Sequence, residues 1–584
     1  MLRRGPHRRL EWNESFMDFV AKLRQRVTRA RLSPGWIGLF GVVLLAVPVC
    51  ILVARTVWTY RDYPYDSDEA IHANKALAIL LDLRAGDLGA SVRSFYQRGF
   101  YPPAFAIPKV AAFLIFGASP AVARFFSLAC LFAAALVIYG SGLQLDKRRG
   151  WVIGLIGAGL TLTSQPLLEA SGLVLMETPG LLAGFAMLWF YLDALEKPTA
   201  ARLAGTSLML LVTFLTKYTY GLPAVAAVVL MELSLLWVRR RERVNANRLR
   251  QVAGRWLWLF GPFVLAVIVW FAGPGKLEMF LSYATAQPQN WSWTLDAVIF
   301  YPRSLAFHHT PSPFFAVVTL TSIVWAACRL RDPKLRLLLI YFCAGVGEMF
   351  LNFPKNPRFI ATFVPVAHLL TGAMIAWGLG RWRQASRVWW GVVALLLAVS
   401  LVTAVPVLID RFRTYPSVME VEYETHPQLN DLAAWIQSQI PPGERFYVIN
   451  FWDQFSPQAL AWYLGTHAVQ PGTHFTDVSM PSALLQEPTP ENIAALREGI
   501  RASGVRYVVS FEGTPWGAPV WWLYADAMGD VLTPVARDVR YVDLYDTGGW
   551  LKRSLLRHDE WERVKAKGQY TLQVQTTVYA VAEP

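Results

Sequence analysis

The sequence predicts a polytopic α-helical membrane protein, with about eleven transmembrane helices and a C-terminal extracytoplasmic α/β domain, on three observations. The 584 residues are 54% hydrophobic and include 24 tryptophans, with a mean hydropathy of +0.33. That is too apolar and aromatic for a water-soluble chain of this length. Apolar runs of spanning length are separated by loops that are alternately basic and not basic. Near residue 410 the composition changes: residues 1–409 hold 41 basic and 20 acidic side chains, residues 410–584 hold 14 and 21. The net charge of +14 is therefore an excess of +21 in the membrane half, where cytoplasmic loops account for it, against −7 in the tail, and no nucleic-acid partner is expected.

Residues 1–35 carry nine Lys or Arg and are expected to form a cytoplasmic segment lying on anionic lipid. Residues 36–58 form the first span, uncleaved, which places 59–120 outside as the first external loop. Within that loop Pro102 to Phe116 is apolar but short, with Pro108 and Lys109 inside it, and is expected at the interface. Spans follow over 121–142, 151–163, 180–195, 203–215, 223–238, 256–271, 313–328, 337–351, 359–379 and 388–408. The loops assigned to the cytoplasm include DKRRG at 146–150, Arg239 to Arg243, RLRDPKLR at 329–336 and RWRQASR after 380. Their basic content is what the positive-inside rule requires, and it makes the N-terminus cytoplasmic and the C-terminal domain extracytoplasmic in a multi-pass plasma (inner) membrane protein.

Residues 36–410 thus form the membrane domain and 411–584 a soluble one. In the latter, helical patterns at 429–440, 457–464 and 491–502 alternate with strands at 446–449 and 507–510. No Gly-rich phosphate loop follows a strand there, so no nucleotide is assigned. Cys50, Cys130, Cys328 and Cys343 lie in apolar segments, which excludes a disulfide framework or a cysteine zinc site.

Carboxylates gather on the external side, and the densest group follows the first span, in YPYDSDEAIHANKAL. A helix capped by Asp66 or Ser67 puts Asp68, His72 and Lys75 at i, i+4 and i+7, on one face that pairs a proton acceptor with cations. Asp66 and Glu69 also match a capping box, and acids favour a first turn for that reason alone. Glu177, ahead of Thr178-Pro179, has the same two readings. Arg93, Arg98 and Lys109 are interfacial cations in reach of a lipid phosphate or of ordinary head groups. Lys217 in FLTKYTYG and Lys355 and Arg358 in KNPRF are basic residues at external turns, with Glu348 a turn or two before the latter. They run against the positive-inside trend. Neighbouring His308 and His309 point apart on regular structure, so no shared metal is expected. Trp291 and Trp293 fit an aromatic belt more simply than a sugar platform.

Six motifs in order, Asp68-Glu69, YPPAF at Tyr101, ARFFS at Ala123, METPG at Met176, FLTKY and KNPRF, resemble the GT-C membrane glycosyltransferases. The similarity is to the branch of protein O-mannosyltransferases and aminoarabinose-transferase-like enzymes and covers about residues 36–410. It implies an inverting glycosyltransferase using a polyprenyl-phosphate-linked sugar donor and a lipid, glycan or protein acceptor on the external face. It implies Asp68 as general base, Glu69 orienting it or the acceptor, and Glu177 as a second acid. Arg98, Lys217, Lys355 and Arg358 are then the phosphate clamp, with His72, Lys75, Tyr101 and Glu348 binding substrate. A phosphate leaving group needs cations rather than an acid, so a base and a basic clamp suffice. Two departures stand out: Tyr101 occupies the place of a lysine before the proline pair, and Glu177 that of an aspartate. No cofactor is required and no metal site is indicated, although the oligosaccharyltransferase branch uses a divalent ion. A transporter or flippase of a polyprenyl-linked substrate, using the carboxylates as a proton relay, is the alternative.

Overall fold

The computed structural model describes residues 34–61, 63, 65, 67–96, 101–238, 246–286, 294–351, 355–381, 387–423, 427–441, 444, 446–449, 489–512, 526–545 and 569–582. The basic segment 1–33, Arg98, Trp291, Trp293 and the helix expected at 457–464 lie outside these. Among the described residues, five helices are long and apolar enough to cross a membrane: Pro34–Thr59, Pro120–Leu145, Glu177–Glu196, Tyr218–Val238 and Leu249–Phe271. A sixth span results if Gly150–Leu162 and Gln165–Gly172, bent by 65° at their junction, count as one. Eleven spans of that length and apolarity are not seen among the described residues. The expected spans near 203–215 and 313–328 are apolar helices of only 15 residues each, Ala200–Phe214 and Pro313–Ala327.

Helix starts follow local chemistry. Ser119 and Ser312 each accept a hydrogen bond from the amide three residues on, and proline takes the first helical position after both. The Gly150–Leu162 helix packs between Pro34–Thr59, Pro120–Leu145 and Val364–Arg381. Glycine allows the approach: a Cβ on Gly142 would lie 2.3 Å from the Gly154 nitrogen. Within the apolar bundle Glu232 is neutralised by Arg255, at 2.6 Å, and accepts from the Tyr191 hydroxyl, also at 2.6 Å. A carboxylate at that depth is stable only when paired in this way. At the bundle end away from the acidic loops, Arg329 lies over Trp325 and Trp377, at 4.4 and 4.1 Å from the ring centroids.

Two findings correct the expected layout. The last apolar helix does not stop at 408 but continues as Arg387–Tyr423, so the change in composition at 410 falls inside a helix. Lys109 is no interfacial cation. It is 3% exposed in the Ala106–Phe116 helix, donating to the His72 carbonyl at 3.2 Å and lying over the Phe126 ring.

The C-terminal part holds one sheet in the order β1-β2-β4-β3, formed by Phe446–Ile449 (β1), Tyr507–Glu512 (β2), Leu532–Tyr545 (β3) and Gln569–Val581 (β4). β1 and β2 are parallel, and the connection between them contains the Pro490–Ser503 helix, capped by Thr489 and ended by Gly504 at φ 63°. β4 runs antiparallel to both β2 and β3. Leu496, Ile500, Val508, Met528 and Leu532 form its core.

Candidate active site

Asp68 and Glu69 begin the Ser67–Arg84 helix, and their carboxylates face different surroundings. Glu69 is 1% exposed and accepts from Arg124 Nε at 2.9 Å and Nη2 at 2.7 Å, and from the Val174 amide at 2.8 Å. Arg124, itself fully buried, also donates to the carbonyls of Tyr60 and Tyr63 at 3.3 Å each. One ion pair thus joins the end of the first span, the Ser67–Arg84 helix, the ARFFS segment and the loop leading to Glu177. Glu69 is an anchor of the site rather than a group turned toward an acceptor, while Asp66, the other half of the expected capping box, lies outside the described residues.

Asp68 is partly open and accepts from Arg358 Nη2 at 2.7 Å. The same guanidinium lies between two carboxylates, with Nε 4.0 Å from Glu177 Oε1. Glu177 is buried in the first turn of Glu177–Glu196, where the helix dipole favours its charge. Burial acts to raise the Asp68 pKa, but Arg358 and the more distant Lys217 outweigh it and hold the carboxyl below its usual range.

Lys217 occupies the turn between Ala200–Phe214 and Tyr218–Val238. Its ammonium lies 5.6, 5.2 and 5.5 Å from the ring centroids of Tyr101, Tyr220 and Phe359, an aromatic cage. Burial lowers its pKa, opposed by Glu177, Asp68 and Glu348. Tyr101 also packs on His72, at 4.5 Å between centroids. His72 lies one turn beyond Asp68, and burial together with Lys109 pushes its pKa down to about 3, so the imidazole is neutral; its Nδ1 is buried with no hydrogen-bond partner among the described residues.

Asp68, His72, Tyr101, Glu177, Lys217, Glu348 and Arg358 therefore converge from six separate segments. Other expected members do not join them. Lys355 donates to the Met349 and Phe350 carbonyls at 3.0 and 2.6 Å, closing the Pro333–Leu351 helix as a C-terminal cation. Lys75 faces Lys276, and burial with that neighbour lowers its pKa to about 7. Arg93 forms an exposed pair with Asp87.

Sequence reasoning missed His309. Its Nδ1 lies 3.0 Å from Ser164 Oγ and its Nε2 3.0 Å from the Pro357 carbonyl. Nearby, Arg411 donates to the carbonyls of Thr163, Phe307 and Thr310 at 2.9, 2.7 and 2.8 Å. A π-helical turn, Leu305–His309, carries this cluster, and such turns recur at functional sites.

The sequence matches no protein-family model and no curated protein. Solved structures do match. The crystal structure of ArnT from Cupriavidus metallidurans bound to undecaprenyl phosphate is 16% identical, with a TM-score of 0.53 over 91% of this chain and 97% of that one. The oligosaccharyltransferase of Archaeoglobus fulgidus in the apo form is 14% identical, with a TM-score of 0.53 over 80% and 69%. The archaeal oligosaccharyltransferase AglB from Archaeoglobus fulgidus in complex with an inhibitory peptide and a dolichol-phosphate gives 14% and 0.51 over the same shares. Identity at this level is evidence of architecture alone, and the architecture agrees with the order of motifs along the chain: the protein shares the fold of these structures, the GT-C fold.

Proposed function

We propose that the protein is an inverting glycosyltransferase that moves a sugar from a polyprenyl phosphate to an acceptor hydroxyl or amine at the extracytoplasmic face of the plasma (inner) membrane. The observation that carries this is Arg358 between Asp68 and Glu177, beside a caged Lys217. A base and two phosphate-binding cations thus lie within one side chain's reach of each other. Two of the similar structures hold undecaprenyl phosphate and a dolichol-phosphate, carriers of the class such a clamp would take.

Asp68 accepts the acceptor's proton as its oxygen or nitrogen attacks the anomeric carbon. The bond from that carbon to the phosphate oxygen breaks, and the electron pair leaves with the polyprenyl phosphate. Arg358 and Lys217 hold the growing negative charge. The phosphate competes with Asp68 for Arg358, so donor binding removes the cation that suppresses the base. Lys217 takes the part of the lysine missing before Pro102, reaching the Tyr101 ring from a different turn. Its Nζ makes no hydrogen bond among the described residues, which leaves its donors for a ligand.

Transfer from a panel of radiolabelled polyprenyl-phosphate sugars, in membranes containing the protein, tests the activity. Translocation of the labelled carrier without transfer would establish the transporter instead. Binding tests the clamp: Lys217→Ala is expected to weaken undecaprenyl phosphate about 10- to 100-fold, the contribution of a charge-assisted hydrogen bond. Unchanged affinity would remove Lys217 from the clamp.

A further inference from the structure

We infer that His309 is a positioning residue that sets the direction of Arg358. The Pro357 carbonyl and the Arg358 amide belong to one planar peptide unit. His309 Nε2 meets the carbonyl at 3.0 Å, and Asn356 Oδ1 accepts from the amide at 2.9 Å. With both ends of the plane held, its rotation is fixed, and with it the path of the Arg358 side chain toward Asp68.

The proton inventory is consistent. A carbonyl only accepts, so Nε2 carries the hydrogen, and in a neutral ring Nδ1 is then the acceptor for the Ser164 hydroxyl. His309 is fully buried, and burial keeps the ring neutral. The histidine is itself fixed, because the Thr310 hydroxyl shares its one hydrogen among the Leu305, Ala306 and Ser312 carbonyls, at 3.2, 3.1 and 3.0 Å, and Arg411 holds Phe307 and Thr310. Ser164 lies at the bend between Gly150–Leu162 and Gln165–Gly172. The chain from this bend continues through Val174, which is bound to Glu69, to Glu177. A single imidazole thus ties the segment carrying Arg358 to the segment carrying its second carboxylate.

What Arg358 does rests on the proposed glycosyl transfer; where it lies rests on geometry alone, and the experiment separates the two. Hydrogen exchange is measured on the whole protein as wild type, His309→Ala and His309→Gln, the glutamine retaining an N–H donor and an oxygen acceptor. Exchange in residues 355–363 is expected to rise about tenfold in His309→Ala and to return toward wild type in His309→Gln. In parallel, His309→Ala weakens undecaprenyl phosphate binding in the wild-type background but adds nothing in Arg358→Gln, the non-additivity expected of a residue acting through Arg358. Unchanged exchange at 355–363, or a rise spread evenly over the chain, overturns the inference. So does a loss of carrier affinity that persists in full with Arg358→Gln. Local loosening in a protein whose wild type binds no carrier leaves the positioning role standing and removes the glycosyl-transfer proposal.

Discussion

Asp68→Asn is expected to lower the transfer rate about a hundred- to ten-thousand-fold while leaving undecaprenyl phosphate affinity equal to wild type or tighter. The split follows from the geometry. Asparagine keeps the shape but cannot take the acceptor's proton, and it withdraws the charge that competes with phosphate for Arg358. The pH profile gives a second readout. Arg358 and Lys217 hold the Asp68 pKa below the usual carboxylate range, so the base form persists to correspondingly lower pH and the acid limb of kcat/KM lies below that range. Once phosphate takes Arg358 the carboxyl becomes a stronger base, and the acid limb of kcat moves to higher pH. The same sign governs stability: the contribution of the Asp68–Arg358 pair is present above the unfolded carboxylate pKa and is lost as pH falls through the folded one. Transfer by Asp68→Asn at the wild-type rate would make the aspartate an ordinary first-turn acid.

Arg124→Met is expected to cost about 3–5 kcal/mol, because it strands the Glu69 carboxylate in the interior. Against a typical total stability of about 5–15 kcal/mol, the variant should accumulate poorly and melt well below wild type. Adding Glu69→Gln should recover part of the loss, since an amide costs less to bury than a lone charge. Thermal unfolding of the purified single and double variants measures both. An Arg124→Met protein as stable as wild type would show that the four segments joined at this pair are held by packing alone.

Much of the site was legible because its cations break a trend. Lys217 and Arg358 are basic at turns where the expected topology disfavours cations, and Arg358 meets Asp68 and Glu177 with Lys217 close enough to act on both electrostatically. Glu69 was not legible. Adjacent carboxylates give no sign of which one turns inward, and its partner Arg124 is 55 residues away, in a segment notable only as a motif. His309 was hidden by its neighbour His308, since a histidine pair invites a metal question while its real partners come from segments far along the chain. In the C-terminal sheet the short apolar strands were visible, but β3 was not. It contains four charged side chains and Pro534, which argues against a strand; the structure places that proline at a register irregularity, where a lost amide is tolerated. The helix crossing position 410 escaped for a related reason, as a change in average polarity need not interrupt backbone hydrogen bonding.

That last helix has a practical consequence for dissecting the protein. A chain cut where the composition changes would end at Asp410 and lose Arg411, leaving the carbonyls of Thr163, Phe307 and Thr310 without their shared donor beside His309. A shortened protein meant to report on the membrane half alone should retain the helix to Tyr423. Inactivity of a shorter version would say nothing about whether the C-terminal sheet takes part in the proposed transfer.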